Sequence, residues 1–254
     1  MNRCWLALGL VTLSVFLAAL PDVWRQAAVL AVRPSGLPSL LQRQSSSPEA
    51  PAQAAAESMA PSSLLAQLQE GDRQWLPRAE PLEDGGIRYL YKRRPGEPEL
   101  SIAQIKDLIA HPPSHEAERR AIIELLELLQ RHGVAVSLSE PIKTGAAAEW
   151  DPQQRSLRIR PDVPTHGSVE FARVLNHEAI HVAQSCAAGG LAAQPRILGI
   201  AAPLTPALKA QLDEPLYAAA SEAERAMEVE AYAHQERLGV GLALVKLHCP
   251  AAPG

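Results

Sequence analysis

The sequence predicts an α+β fold, mainly helical, in which a small β-hairpin or sheet precedes one buried helix near the middle of the chain. Three observations carry this. Aromatic residues make up only 4% of the 254 residues while Ala and Leu abound, so the core is expected to be aliphatic and built largely from helices. Ile122, Leu125, Leu126 and Leu129 repeat at helical spacing. Short runs of strand character, 134–138, 146–150 and 156–160, come directly before a stretch, 174–188, whose only acidic or basic residue other than histidine is Glu178.

From the N-terminus, residues 5–20 are uncharged and dominated by Leu, Ala and Val, which predicts a signal peptide or a membrane anchor within 1–33. The run is shorter than the roughly 20 residues a spanning helix prefers and longer than a usual signal core, so both readings stand. Cys4 precedes the run and therefore does not read as a lipoprotein cysteine. The body of the chain is expected to be exported (periplasmic, lumenal or extracellular) or held at a membrane by this segment. Residues 34–63 read as a linker, because Pro34, Pro38, Pro48, Pro51 and Pro61, a serine run and an Ala/Gln tract leave little to form a core.

Residues 64–250 read as one globular domain. A strand is expected at 87–91 and helices at 101–110 and 115–132, the second stopped by Gly133. His111, His115 and His132 fall at the ends of these helices and read as surface or capping residues. The runs 146–150 and 156–160 form a hairpin turned by Asp151, Pro152 and Gln153. Pro161, Pro164 and Ser168 then open a helix to about residue 186, and the Gly- and Pro-punctuated stretch 189–216 is a candidate wall of a cleft. Ser221 with Glu224 three residues on reads as a capping box that opens a helix through about 236, followed by helical 238–247.

The chemistry is concentrated in His177-Glu178-Ala179-Ile180-His181. Two histidines four apart share one face of a helix and can bind a single Zn²⁺ ion, with Glu178 beside them as general base toward a water. A third protein ligand is needed. A histidine six residues after His181 would supply one, but Ala187 stands there. A glutamate on the later helix is the other solution: Glu222 and Glu224 suit the first turn and the helix dipole, which leaves Glu228 and Glu230. About 200° of helix rotation separates those two.

HEAIH followed by Glu228-Val229-Glu230-Ala231-Tyr232 resembles the gluzincins, zincin-like metallopeptidases in which HExxH on one helix is completed by Glu within an ExxA string on another. Integral-membrane prenyl-protein peptidases and small repressor-cleaving metallopeptidases carry such strings. The resemblance implies a zincin-like domain, Zn²⁺ as cofactor, and His177, His181 and Glu228 as its ligands. Tyr232 stands where those families usually have Asp or Asn to orient a ligand histidine, a departure from their pattern. The resemblance also implies that an edge strand above the helix binds extended substrate by strand addition. Tyr217, Tyr232 and His234 are candidate donors to an oxyanion.

A net charge of −4 gives no basic patch of the kind that points to nucleic acid. Cys186 and Cys249 are left as a pair that either bridges or stays as buried thiols. The function expected is hydrolysis of peptide bonds in a peptide or protein substrate, with Glu178 as catalytic base. The alternatives are a non-catalytic binding protein of the same fold and a structural, membrane-associated helical protein.

Overall fold

The computed structural model describes residues 61–93, 97–200 and 203–250. The expected signal or anchor, and the linker up to residue 60, lie outside the described residues. Pro61, Ser62 and Ser63, read with the linker, form the first turn of helix α1 (Pro61–Trp75), where the missing proline N–H has no intrahelical partner to lose. Leu64 and Leu68, one turn apart, are fully buried and anchor α1 to the core. An antiparallel hairpin follows, β1 (Arg78–Pro81) with β2 (Ile87–Leu90).

Helix α2 (Ile102–Ala110) begins at Ser101, whose side chain accepts the Gln104 N–H in a reciprocal capping box. Helix α3 (Glu116–Arg131) buries Ile122, Leu125, Leu126 and Leu129, the four residues whose spacing predicts it. It stops at Gly133, whose φ of 80° is the left-handed conformation glycine adopts without steric cost.

Three short strands make the second sheet: β3 (Ala135–Leu138), β4 (Ala148–Asp151) and β5 (Ser156–Ile159), in the order β3-β5-β4. The expected hairpin is β4 with β5, antiparallel, and β3 adds to β5 in parallel. The turn closes on Asp151, whose Oδ1 accepts the N–H groups of Gln153 (3.0 Å) and Gln154 (3.1 Å). Strand β4 is therefore an edge.

Helix α4 (Ser168–Ala187) carries the HEAIH run and crosses the main core, where Phe171, Leu175, Ile180 and Val182 are fully buried. Its first turn is capped by Asp72 of α1, which accepts the Ser168 N–H and hydroxyl at 2.6 Å each and pairs with Arg119 at 2.7 Å. Beyond the loop come α5 (Pro206–Leu212), α6 (Glu222–His234) and α7 (Val240–His248). Helix α7 lies against α4 at Gly241, where a Cβ would come within 2.6 Å of Asn176 Oδ1 and 2.8 Å of Ala179 Cβ, so the approach requires glycine. Cys186, at the end of α4, is bonded to Cys249 just past α7, with Cα atoms 5.0 Å apart. Of the two states left open for these cysteines, the structure has the bridge. Seven α-helices and two small sheets among the described residues make the fold α+β and mainly helical. No helix among them is long and apolar enough to cross a membrane.

Candidate metal centre

Helix α4 presents His177, Glu178 and His181 on one side because the rest of its surface is taken by the core. It is also pinned from the sheet: Trp150 Nε1–H of β4 donates to Ser185 Oγ at 2.9 Å in a buried contact. The Nε2 atoms of the two histidines are 3.1 Å apart and their rings meet edge to face at 4.8 Å. Each Nδ1–H points away from that meeting point to a glutamine oxygen. His177 donates to Gln235 Oε1 at 3.1 Å, and His181 to Gln184 Oε1 at 2.8 Å. Both ε nitrogens are thereby turned toward the same space.

Helix α6 brings the third group. Ser221 and Glu224 form the expected capping box, and one turn later Glu228 Oε2 lies 3.2 Å from His177 Nε2 and 3.6 Å from His181 Nε2. The three ligand atoms all lie within 4.8 Å of one another. The Tyr217 hydroxyl donates to Glu228 Oε2 at 3.2 Å and lies 2.6 Å from that of Tyr232, whose ring stands edge to face on His177 at 4.6 Å. Tyr232, the departure from the expected pattern, thus meets His177 with its ring.

Glu230 goes elsewhere. Only 5% exposed, it accepts four N–H groups: Leu198 (2.8 Å), Gly199 (2.7 Å), Ile200 (3.1 Å) and Gln184 Nε2 (3.0 Å). The carboxylate left open as a second ligand candidate is thus saturated by backbone and amide donors on the far side of α6.

Helices α4 and α6 are joined by Asn176. Its Nδ2 donates to the carbonyls of His234 (3.3 Å), Gln235 (2.8 Å) and Arg237 (3.1 Å), while Oδ1 accepts the Gly241 N–H at 2.6 Å. One side chain therefore ends α6, starts α7 and places Gln235 against His177.

The charges of the metal-free site are strongly coupled. Burial disfavours the charged ring of His181, but Glu228, Glu178 and the Gln184 oxygen outweigh it and hold its pKa up at about 9. Burial likewise acts to raise Glu228, and donors from His177 and His181 reverse this and depress it far below the usual carboxylate range. For Glu178, 6% exposed, burial prevails over the attraction of the two histidines and the Trp150 backbone N–H, and its pKa is raised. Burial, resisted by two neighbouring imidazoles, thus sets the Glu178 carboxyl apart from an exposed one.

A cleft of about 470 Å³ opens in front of these residues, walled by Lys143, Trp150, Gln194, Pro195, Tyr217 and Met227. Gln194 and Pro195 come from the stretch expected to form a wall. The edge strand runs along it. The Arg160 N–H donates to the Ala147 carbonyl, so the alternation of an antiparallel ladder turns the Ala148 N–H and C=O away from β5. His234 lies on the last turn of α6 against Arg237 and is not among the residues lining the cleft, unlike Tyr217. His111, His115 and His132 cap helix ends, as expected. Sequence reasoning missed Gln184, Gln235 and Asn176. Only Gln184 left a signal, as a polar residue on the ligand face of an apolar helix, one turn after His181. Comparison of the chain with protein-family models, with curated proteins and with solved structures gives no match.

Proposed function

We propose that this protein is a zinc-dependent peptidase whose metal is held by His177, His181 and Glu228 and whose catalytic base is Glu178. The observation that carries the reading is the convergence of three ligand atoms within 4.8 Å, beside a buried carboxyl of raised pKa. The donor set fits the metal: two imidazoles and one carboxylate are a common zinc set that leaves a coordination position open. Both histidines already have their Nδ1–H groups engaged, which leaves Nε2 to coordinate. Zinc bound there supplies a Lewis acid for the scissile carbonyl and lowers the pKa of a water to near neutrality.

The chain's own residues supply the rest. Glu178 takes the proton from the attacking water and delivers it to the leaving amine. Tyr217, whose phenol is kept protonated by burial and by the neighbouring Glu228 and Tyr232, is a donor for the oxyanion. The outward N–H and C=O of Ala148 offer an extended peptide a strand to pair with. The disulfide supports a place in an oxidising compartment, in keeping with an exported chain.

The test is elemental analysis of the dialysed protein together with cleavage of a mixed peptide library, on the parent and on Glu178→Gln. One zinc per chain is expected in both, with cleavage slowed in the variant by about 10²–10⁴-fold. A folded parent that takes up no metal when zinc is supplied, or a variant that cleaves as fast as the parent, overturns the reading.

A further inference from the structure

We propose that Glu230 is a positioning residue: it fixes the orientation of the Gln184 amide, thereby selects which nitrogen of His181 faces the metal, and docks the cleft wall to the same carboxylate. The proposal rests on the metal-site reading above.

Gln184 is fully buried, and its two ends are not interchangeable. Its Nε2 donates to Glu230 Oε2 at 3.0 Å and to the Met227 carbonyl at 3.3 Å, and both of these groups only accept. Turning the amide over would set oxygen against two oxygens. Gln184 Oε1 is therefore held toward His181 Nδ1, at 2.8 Å, where an acceptor demands an N–H. Oε1 held there would keep the ring's proton on Nδ1 when a metal displaces the one on Nε2, the atom that faces His177 Nε2 at 3.1 Å and Glu228 Oε2 at 3.6 Å. A flipped amide would stabilise the opposite tautomer and aim an N–H at the metal position.

The remaining lone pairs of Glu230 bind the backbone of Leu198, Gly199 and Ile200. That segment continues from Gln194 and Pro195, which line the cleft. Wall and metal ligand thus share one anchor, and α6 serves both with residues two apart, Glu228 toward the histidines and Glu230 toward the wall.

The experiment measures Zn²⁺ affinity of the full chain by competition with a chromophoric chelator, for Gln184→Leu, Glu230→Gln and the reciprocal pair Gln184→Glu with Glu230→Gln. Loss of an outer partner of a ligand histidine is expected to weaken zinc by about 10–100-fold in Gln184→Leu, and by about tenfold in Glu230→Gln, where the Met227 carbonyl still orients the amide. The pair is expected to recover part of that loss, because a carboxylate at position 184 accepts from His181 and an amide at position 230 donates to it, while the Met227 carbonyl loses its donor. Lower melting temperatures with unchanged zinc affinity would make Glu230 merely structural and overturn the proposal. The parent alone gives a second readout, independent of how the variants fold and of any peptide cleavage. In metal-free protein, the Gln184 side-chain N–H protons are expected to show NOEs to Met227 and Glu230 and none to the His181 ring, and NOEs to the ring from a turned amide overturn the proposal. A parent that binds no zinc but holds the Gln184 amide in this orientation defeats the peptidase reading and not the role of Glu230 in orienting Gln184.

Discussion

The two helices that build the site are held by different forces. Helix α4 is set in the main hydrophobic core, with Phe171, Leu175, Ile180 and Val182 fully buried and a disulfide at its end. Helix α6 buries only Glu230 and Ala231 and leans on a small second cluster of Leu208, Leu212 and Tyr217. What keeps α6 in register is polar: Asn176 at its C-terminal end, Glu230 in its middle, and Arg225 near its start, whose guanidinium donates to the carbonyls of Leu212 (2.7 Å) and Tyr217 (2.6 Å). The comparison teaches that the two histidines sit on a scaffold built by burial, whereas Glu228 is placed by hydrogen bonds. Hydrogen bonds are directional, so small losses on α6 should cost metal geometry where equal losses on α4 cost stability.

The largest effect should come from the α4 side. Replacing both cysteines by serine opens a bridge that spans 63 residues, which is expected to lower stability by about 4 kcal/mol, read from the urea midpoint. The α4–α6 junction comes next. Asn176→Leu deletes the bonds to three carbonyls and one N–H, and leaving those groups buried costs about 3 kcal/mol; calorimetry measures the loss, and zinc affinity should drop with it as Gln235 leaves His177. If Asn176→Leu destabilised the fold with zinc affinity intact, hydrogen bonding would not be what registers α6.

The pH dependence sharpens the same contrast. With Glu228 outweighing burial, the His181 pKa is held up at about 9, so zinc bound as proposed would release a proton at neutral pH. Apparent zinc affinity is expected to rise about tenfold per pH unit up to about pH 9 and then level off, read by chelator competition. Without metal the sign reverses. A folded pKa raised above 6.5 stabilises the protein fully below that pH, and this contribution is lost as the pH rises through about 9; the depressed Glu228 contributes above its ordinary range and loses its share on acidification. Melting of the metal-free protein should therefore be highest between those limits. The smallest effect expected is that of Tyr217→Phe, which removes one hydroxyl bonded to Glu228 and Tyr232: about 1 kcal/mol of stability by denaturant titration, with a fall in kcat larger than any change in KM if the phenol meets the oxyanion.

How legible the molecule was in its sequence follows the same division. Features fixed by local period or local chemistry could be read directly: the apolar spacing of α3, the Ser221–Glu224 box, the two histidines on one face of α4. The meeting of Glu228 with them could be named from a pattern, but the part played by Glu230 depends on a loop about 30 residues away and is invisible in the chain. The same is true of Asp72, which caps α4 from α1 across 96 residues, and of Gln235, whose contact with His177 exists only because Asn176 ends α6 there. Helix α1 was hidden by its Ala, Gln and Ser content, which continues the composition of the linker. Strand β1, Arg-Ala-Glu-Pro, lies at the surface with no buried face, so it has no alternation to betray it.

Both histidines rest on amides, and amides carry no charge. A divalent ion held as proposed would meet a single ligand carboxylate and keep a net positive remainder, with Glu178 lining the same cleft. Burial opposes the ionisation of Glu178. On the proposed reading an ion held there would give that charge its partner, so loading the ion and arming the base would be one event.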